Sequence, residues 1–126
     1  TYNLLRAYLY AGLDKDSTPV QLAIGWISNN YTVDRVPGYR DPKQYEMGLF
    51  YYFVSMSRTL KAMGVDSVDE PERDIKHDWR ADLVAKLKGM QADDGSWLNR
   101  GHDRWQENSG VLCTAYALDA LRHTQK

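Results

Sequence analysis

The segment Gly101-His102-Asp103-Arg104-Trp105-Gln106-Glu107-Asn108 is the strongest functional candidate in this chain. It places a histidine, two acids, an arginine and an indole within eight residues. The segment leads into a stretch of helical periodicity, and a helix amino end favours anions through its free N–H groups. His102, Asp103, Arg104, Trp105 and Glu107 are therefore candidate ligand-binding residues. A plainer reading packs Trp105 on a helix end, pairs Asp103 with Arg104 at the surface and makes Glu107 a cap. The approach to an earlier helix, Tyr39 to Tyr45, is also aromatic and basic, and it adds Tyr45 to the candidates.

Tyrosine dominates the remaining aromatic inventory, with nine Tyr and four Trp against two Phe. Tyr52 and Tyr116 fall on charge-poor helical segments, where a ring with a polar tip suits either a core or a ligand wall. Arg6 and Arg58 are isolated charges within such segments, placed to face a cavity or to form pairs. Metal chemistry has little to work with. Cys113 is the single cysteine, and His123 lies ten residues further along the same helix, about 15 Å away. His77 and His102 fall in separate loops. The reading is therefore no metal and no cofactor, with Cys113 as a small core residue. The acidic runs Asp66–Glu70 and Asp93–Asp94 read as solvated turns.

Five helices position these residues. The first covers about Tyr2 to Ala11 and ends at Gly12. The second begins at Thr18-Pro19-Val20-Gln21, which has the form of a capping box, and ends at Asn29–Asn30. Its apolar face is Val20, Ala23, Ile24 and Ile27. The third runs from about Glu46 to Met63 and is apolar on several sides, which predicts burial on several sides. The fourth, Asp78 to Gly89, is amphipathic, and the fifth covers Ser109 to Arg122. Residues 65–75 are charged and interrupted by Pro71; they read as a loop able to hold a small hairpin. Ala11-Gly12-Leu13-Asp14 is echoed by Met63-Gly64-Val65-Asp66, a period of 52 residues. Charge-poor helices one, three and five alternate with more polar ones. That order predicts an all-α chain of layered α/α hairpins.

Between the fourth and fifth helices lies Gln91-Ala92-Asp93-Asp94-Gly95-Ser96-Trp97. Gln91 is placed to serve the unpaired carbonyls of a helix end. Asp94 and Gly95 make a tight turn, and Trp97 folds back as an apolar cover. This clasp resembles the QW motif of squalene–hopene-type terpene cyclases and the related repeat of prenyltransferase β subunits. The resemblance implies one partial α/α-toroid domain over residues 1–126, with approximate repeats 1–44, 45–97 and 98–126. Those cyclases protonate their substrate with an Asp-x-Asp-Asp cluster, and no such spacing occurs here. The prenyltransferases hold zinc with an Asp-x-Cys pair and a distant His, but Val111 stands two residues before Cys113. The family therefore implies architecture more than activity. The expected role is a scaffold or binding module, non-catalytic on its own. The alternative is a fragment of a toroid enzyme, terpene cyclase-like or carbohydrate-acting.

The composition agrees with a folded domain, at 43% hydrophobic and 26% charged residues. A net charge of −1 leaves no basic excess for nucleic acid. No apolar run is long enough to span a membrane. The chain reads as a piece of a longer protein. Its expected partners are the rest of that protein or a second copy, through exposed inner-helix faces. An isoprenoid or a glycan is the expected ligand class, and the sequence assigns no compartment.

Overall fold

The structure is a computed structural model describing residues 1–126. Its main elements are α1 (Tyr2–Tyr10), α2 (Thr18–Asn30), α3 (Leu49–Met63), β1 (Val68–Glu70), β2 (Ile75–His77), α4 (Trp79–Met90) and α5 (Gly110–Thr124). The chain is mostly helical, and β1 and β2 form a short antiparallel hairpin in register Val68 to His77. No helix is long and apolar enough to cross a membrane.

Helix α3 is the centre of the molecule because its apolar residues point in several directions. Ten of its residues are buried, including Leu49, Phe50, Phe53, Met56 and Leu60. It packs between α1 and α5. All three run the same way. Asn3 bonds Tyr51 near the starts of α1 and α3, while Lys15 reaches the Met63 carbonyl beyond their ends. Along α5 the contacts also advance in step: Tyr51 meets Tyr116, Arg58 meets Asp119, and Lys61 reaches the Gln125 carbonyl. Small residues of α5, Cys113, Ala117 and Ala120, are fully buried and allow close approach. Helices α2 and α4 lie against α1 and α5. They contribute Val20, Ala23, Ile27, Trp79, Leu83 and Leu87 to the same core.

The 52-residue echo has an identical structural form. Gly12 and Gly64 both take the left-handed conformation, with φ of 79° and 71°. Leu13 N–H bonds the Tyr8 carbonyl and Val65 N–H bonds the Leu60 carbonyl, each five residues back. Both helices thus end in the same glycine cap, with the next apolar residue turned back onto the helix.

Three local expectations are corrected. Thr18 is not a cap: Ser17 takes that position without a side-chain bond, and Gln21 bonds the Lys15 carbonyl instead. Helix α3 begins at Leu49 rather than Glu46, because Gly48 at φ 74° interrupts the backbone. Residues 66–70 are not a simple solvated turn. Val68 is buried in the hairpin, Asp66 pairs with Arg80, and Glu70 bonds His77.

Candidate functional site

The amino end of α3 requires hydrogen-bond acceptors for its free N–H groups. Glu107 supplies them from 56 and more residues away. Its Oε1 accepts from Tyr51 N at 2.8 Å and its Oε2 from Phe50 N at 3.2 Å. Asn99 Nδ2 donates to the same Oε2 at 2.7 Å and to the Glu46 carbonyl at 2.7 Å. The Asn99 carbonyl oxygen accepts from Gly101 N and His102 N, and Cys113 Sγ donates to the Glu107 carbonyl. Glu107 is completely buried. As a ligand contact it is therefore corrected: it caps α3 across the fold, where a carboxylate also meets the positive end of the helix dipole.

Burying Glu107 throws the residues before it outward. Trp105 and Gln106 take left-handed backbone with φ of 57° and 62°. That conformation is rare for an aromatic residue and carries strain of a kind concentrated at functional sites. The Trp105 ring lies over Gly48, where an added methyl group would overlap it. It remains 52% exposed and meets Tyr51 edge-on at 6.2 Å; Tyr51 meets Tyr116 at 6.2 Å. A cavity of about 170 Å³ opens beside these rings, walled by Tyr2, Trp26, Val36 and Tyr52. The Tyr52 hydroxyl donates to the Thr32 carbonyl at 2.7 Å, whereas the buried Tyr2 hydroxyl has no hydrogen-bond partner.

A hydrogen-bonded chain connects this aromatic mouth to a polar groove. Tyr51 Oη accepts from Asn3 Nδ2 at 3.0 Å, and Asn3 Oδ1 accepts from Arg6 Nη2 at 3.2 Å. Beyond Arg6 the groove is lined by Arg58, Lys61, Arg122 and His123. Asp119 answers this charge by accepting from both Arg58 and Arg122. Burial first, and then Arg122, Arg58 and Lys61, hold the His123 ring below the ordinary histidine range, against Asp119.

The structure thus brings Arg6, Tyr52, Trp105 and Tyr116 onto one connected surface. Tyr45 is not part of it; its ring is covered by the Arg35 guanidinium at 4.7 Å. His102 is held in its loop, with Nδ1 accepting from Arg104 N at 3.0 Å. Asp103 and Arg104 are exposed and do not pair with each other; the only ion-pair approach is His102 to Asp103 at 3.8 Å. The clasp has a division of labour unlike the expected one. Gln91 Nε2 donates to the Gly95 carbonyl within the turn, and Trp97 Nε1 serves the helix end by donating to the Leu87 carbonyl at 2.8 Å. Asp94 accepts from Ser96 N and Oγ, which hold its carboxyl below the usual range.

A second polar cluster had no visible signal in the sequence. His77 Nε2 meets Glu70 at 3.1 Å, its Nδ1 lies 3.9 Å from Asp82, and the Tyr31 hydroxyl donates to Asp82 at 2.9 Å. The hairpin pairing brings Glu70 and His77 together, and Tyr31 at the end of α2 and Asp82 on α4 complete the group. No group of three or more His, Cys, Asp or Glu is arranged to hold a metal. Comparison with known protein families, curated proteins and solved structures returns no match. The site therefore stands on its own geometry.

That geometry carries an alkaline signature. Burial pushes the Tyr2 hydroxyl up from 10.0 to about 12 and raises Tyr52 and Tyr31 as well. A raised folded-state value favours folding fully below the unfolded pKa and loses that contribution as pH rises. Urea unfolding is expected to show stability falling as pH rises from 10 toward 12. Constant stability across that window would contradict the buried placement of these hydroxyls.

Proposed function

We propose that this chain is a section of an α/α-toroid array of the squalene cyclase/prenyltransferase-like repeat kind, acting as a scaffold or binding surface rather than as an enzyme by itself. The observation that carries the reading is the row of parallel helices α1, α3 and α5, with the same glycine cap repeated after 52 residues. Parallel neighbours need a returning helix between them, and α2 and α4 take that position in the chain order. Such arrays grow by stacking each hairpin on the next, so every unit offers an apolar edge to its neighbour.

Both edges of the row offer one. On α5, Val111, Ala115 and Leu118 repeat at i, i+4 and i+7; Val111 is 85% and Leu118 56% exposed. On α1, Leu4, Ala7 and Ala11 form a similar exposed stripe. A partner surface, from the rest of a parent protein or from a second copy, covers these stripes. Sedimentation velocity tests this: the average mass of the isolated chain is expected to rise with concentration. A mass fixed at the monomer over a hundredfold range, about 1–100 μM, would count against the array.

A further inference from the structure

We propose that the face formed by α1, α3 and α5 binds an acidic oligosaccharide, with sugar rings at the aromatic mouth and carboxylates in the basic groove. The inference rests on the reading of this row as a binding surface and names its ligand class. Two features of opposite chemistry share one continuous face. At one end Trp105, Tyr51 and Tyr116 present partly exposed rings. Aromatic faces and edges of this kind stack on the C–H faces of sugars. The rim supplies exposed polar partners for hydroxyls in Thr1, Asn3 and Tyr51.

At the other end Arg6, Arg58, Lys61 and Arg122 line the groove with His123. Asp119 is the one acid bonded among them, in a chain whose overall charge is −1. The cations are therefore concentrated here against the average of the molecule. Arg58 and Arg122 already hold a carboxylate, that of Asp119. Arginine forks fit carboxylates in this manner, and Arg6 and Lys61 have only neutral partners, Asn3 and the Gln125 carbonyl. Arg6 and Arg58 are separated by the same 52 residues as Gly12 and Gly64. They therefore occupy matching places on successive parallel helices. Tyr51 and Arg58 are two turns apart on α3, about 10 Å along the axis. A chain of two or three sugar units spans that distance, whereas a single inorganic anion reaches only the basic end. The mouth runs on through Asn3 into the charged groove, which suits a hydrated ligand better than a hydrocarbon.

The test is calorimetric titration with trigalacturonate, compared with maltotriose, inorganic pyrophosphate and farnesyl diphosphate. Trigalacturonate is expected to bind, with affinity falling as salt rises. Arg6→Ala with Arg58→Ala, and separately Trp105→Ala, are each expected to weaken it about tenfold or more. Asp119→Asn removes the negative charge that Arg58 and Arg122 share and is expected to tighten it. All three variants change partly or fully exposed side chains, and circular dichroism verifies their fold. Equal binding of maltotriose, equal or tighter binding of pyrophosphate or farnesyl diphosphate, indifference to Trp105→Ala, or no binding of trigalacturonate would each overturn the proposal. Self-association is measured separately, so failure here is distinguishable from failure of the array.

Discussion

Glu107→Ala is expected to lower stability by about 3–5 kcal/mol, measured by urea unfolding. The carboxylate accepts from Phe50 N, Tyr51 N and Asn99 Nδ2, and Glu107 is fully buried. Alanine would leave the Phe50 and Tyr51 N–H groups without partners, and Asn99 Nδ2 with only the Glu46 carbonyl, in a space too enclosed for bulk water. Each orphaned donor costs about 1–3 kcal/mol, reduced where neighbours relax. Removing a helix cap alone costs about 1 kcal/mol. A domain of this size has a total stability on the order of 5–15 kcal/mol, so the variant approaches global unfolding. Glu107→Gln separates charge from shape. It keeps the volume but turns one acceptor into a donor facing N–H groups, and it is expected to cost about 2 kcal/mol. A loss below ~1 kcal/mol for the alanine variant would show that α3 does not depend on this cap.

Trp97→Ala is expected to cost a similar amount, about 3–5 kcal/mol. The ring is 4% exposed and belongs to the main core cluster. Its Nε1 donates to the Leu87 carbonyl, and its backbone N–H donates to Thr114 Oγ1 at 3.0 Å. The substitution therefore opens a cavity, frees a helix-end carbonyl and loosens the link between α4 and α5. Trp97→Phe retains most of the apolar volume and loses only the indole bond, for about 1–2 kcal/mol. Gln91→Ala is the contrasting case. Gln91 is exposed and makes one bond to the Gly95 carbonyl, so its loss is expected to stay below about 1 kcal/mol. A larger effect at Gln91 than at Trp97 would reverse this division of labour.

Helices were readable in the sequence because their signals are local. Apolar spacing of three and four residues located all five, and Gly12 and Gly64 marked two ends through a backbone conformation that glycine tolerates. Local signals also misled. Thr18-Pro19-Val20-Gln21 has the letters of a capping box, yet Pro19 stands at the second helical position and Ser17 takes the cap. What escaped was long-range. Glu107 lies in a segment rich in polar residues, and nothing nearby indicates that its carboxylate closes a helix beginning at Leu49. Asn99 gave no signal at all, although it ties Glu46, Gly101, His102 and Glu107 together. The His77 cluster depends in the same way on a hairpin of two three-residue strands. Trp105 and the tyrosines of the charge-poor helices, Tyr51 and Tyr116 among them, were singled out from the sequence, but Gly48, over which the Trp105 ring lies, was not.

The binding face and the apolar edges of the row share a physical basis. One side of the α1, α3, α5 row buries large apolar residues against α2 and α4, while the other bears rings at one end and cations at the other. The two edges carry apolar stripes that a lone row leaves in water, at a cost proportional to their area. Sedimentation velocity on the unmodified chain beside the Val111→Glu, Leu118→Glu double variant measures this most directly. The unmodified chain is expected to associate as concentration rises, and the double variant to stay monomeric with its helical content unchanged. Two chains that remain monomers alike, or that associate alike, would contradict it.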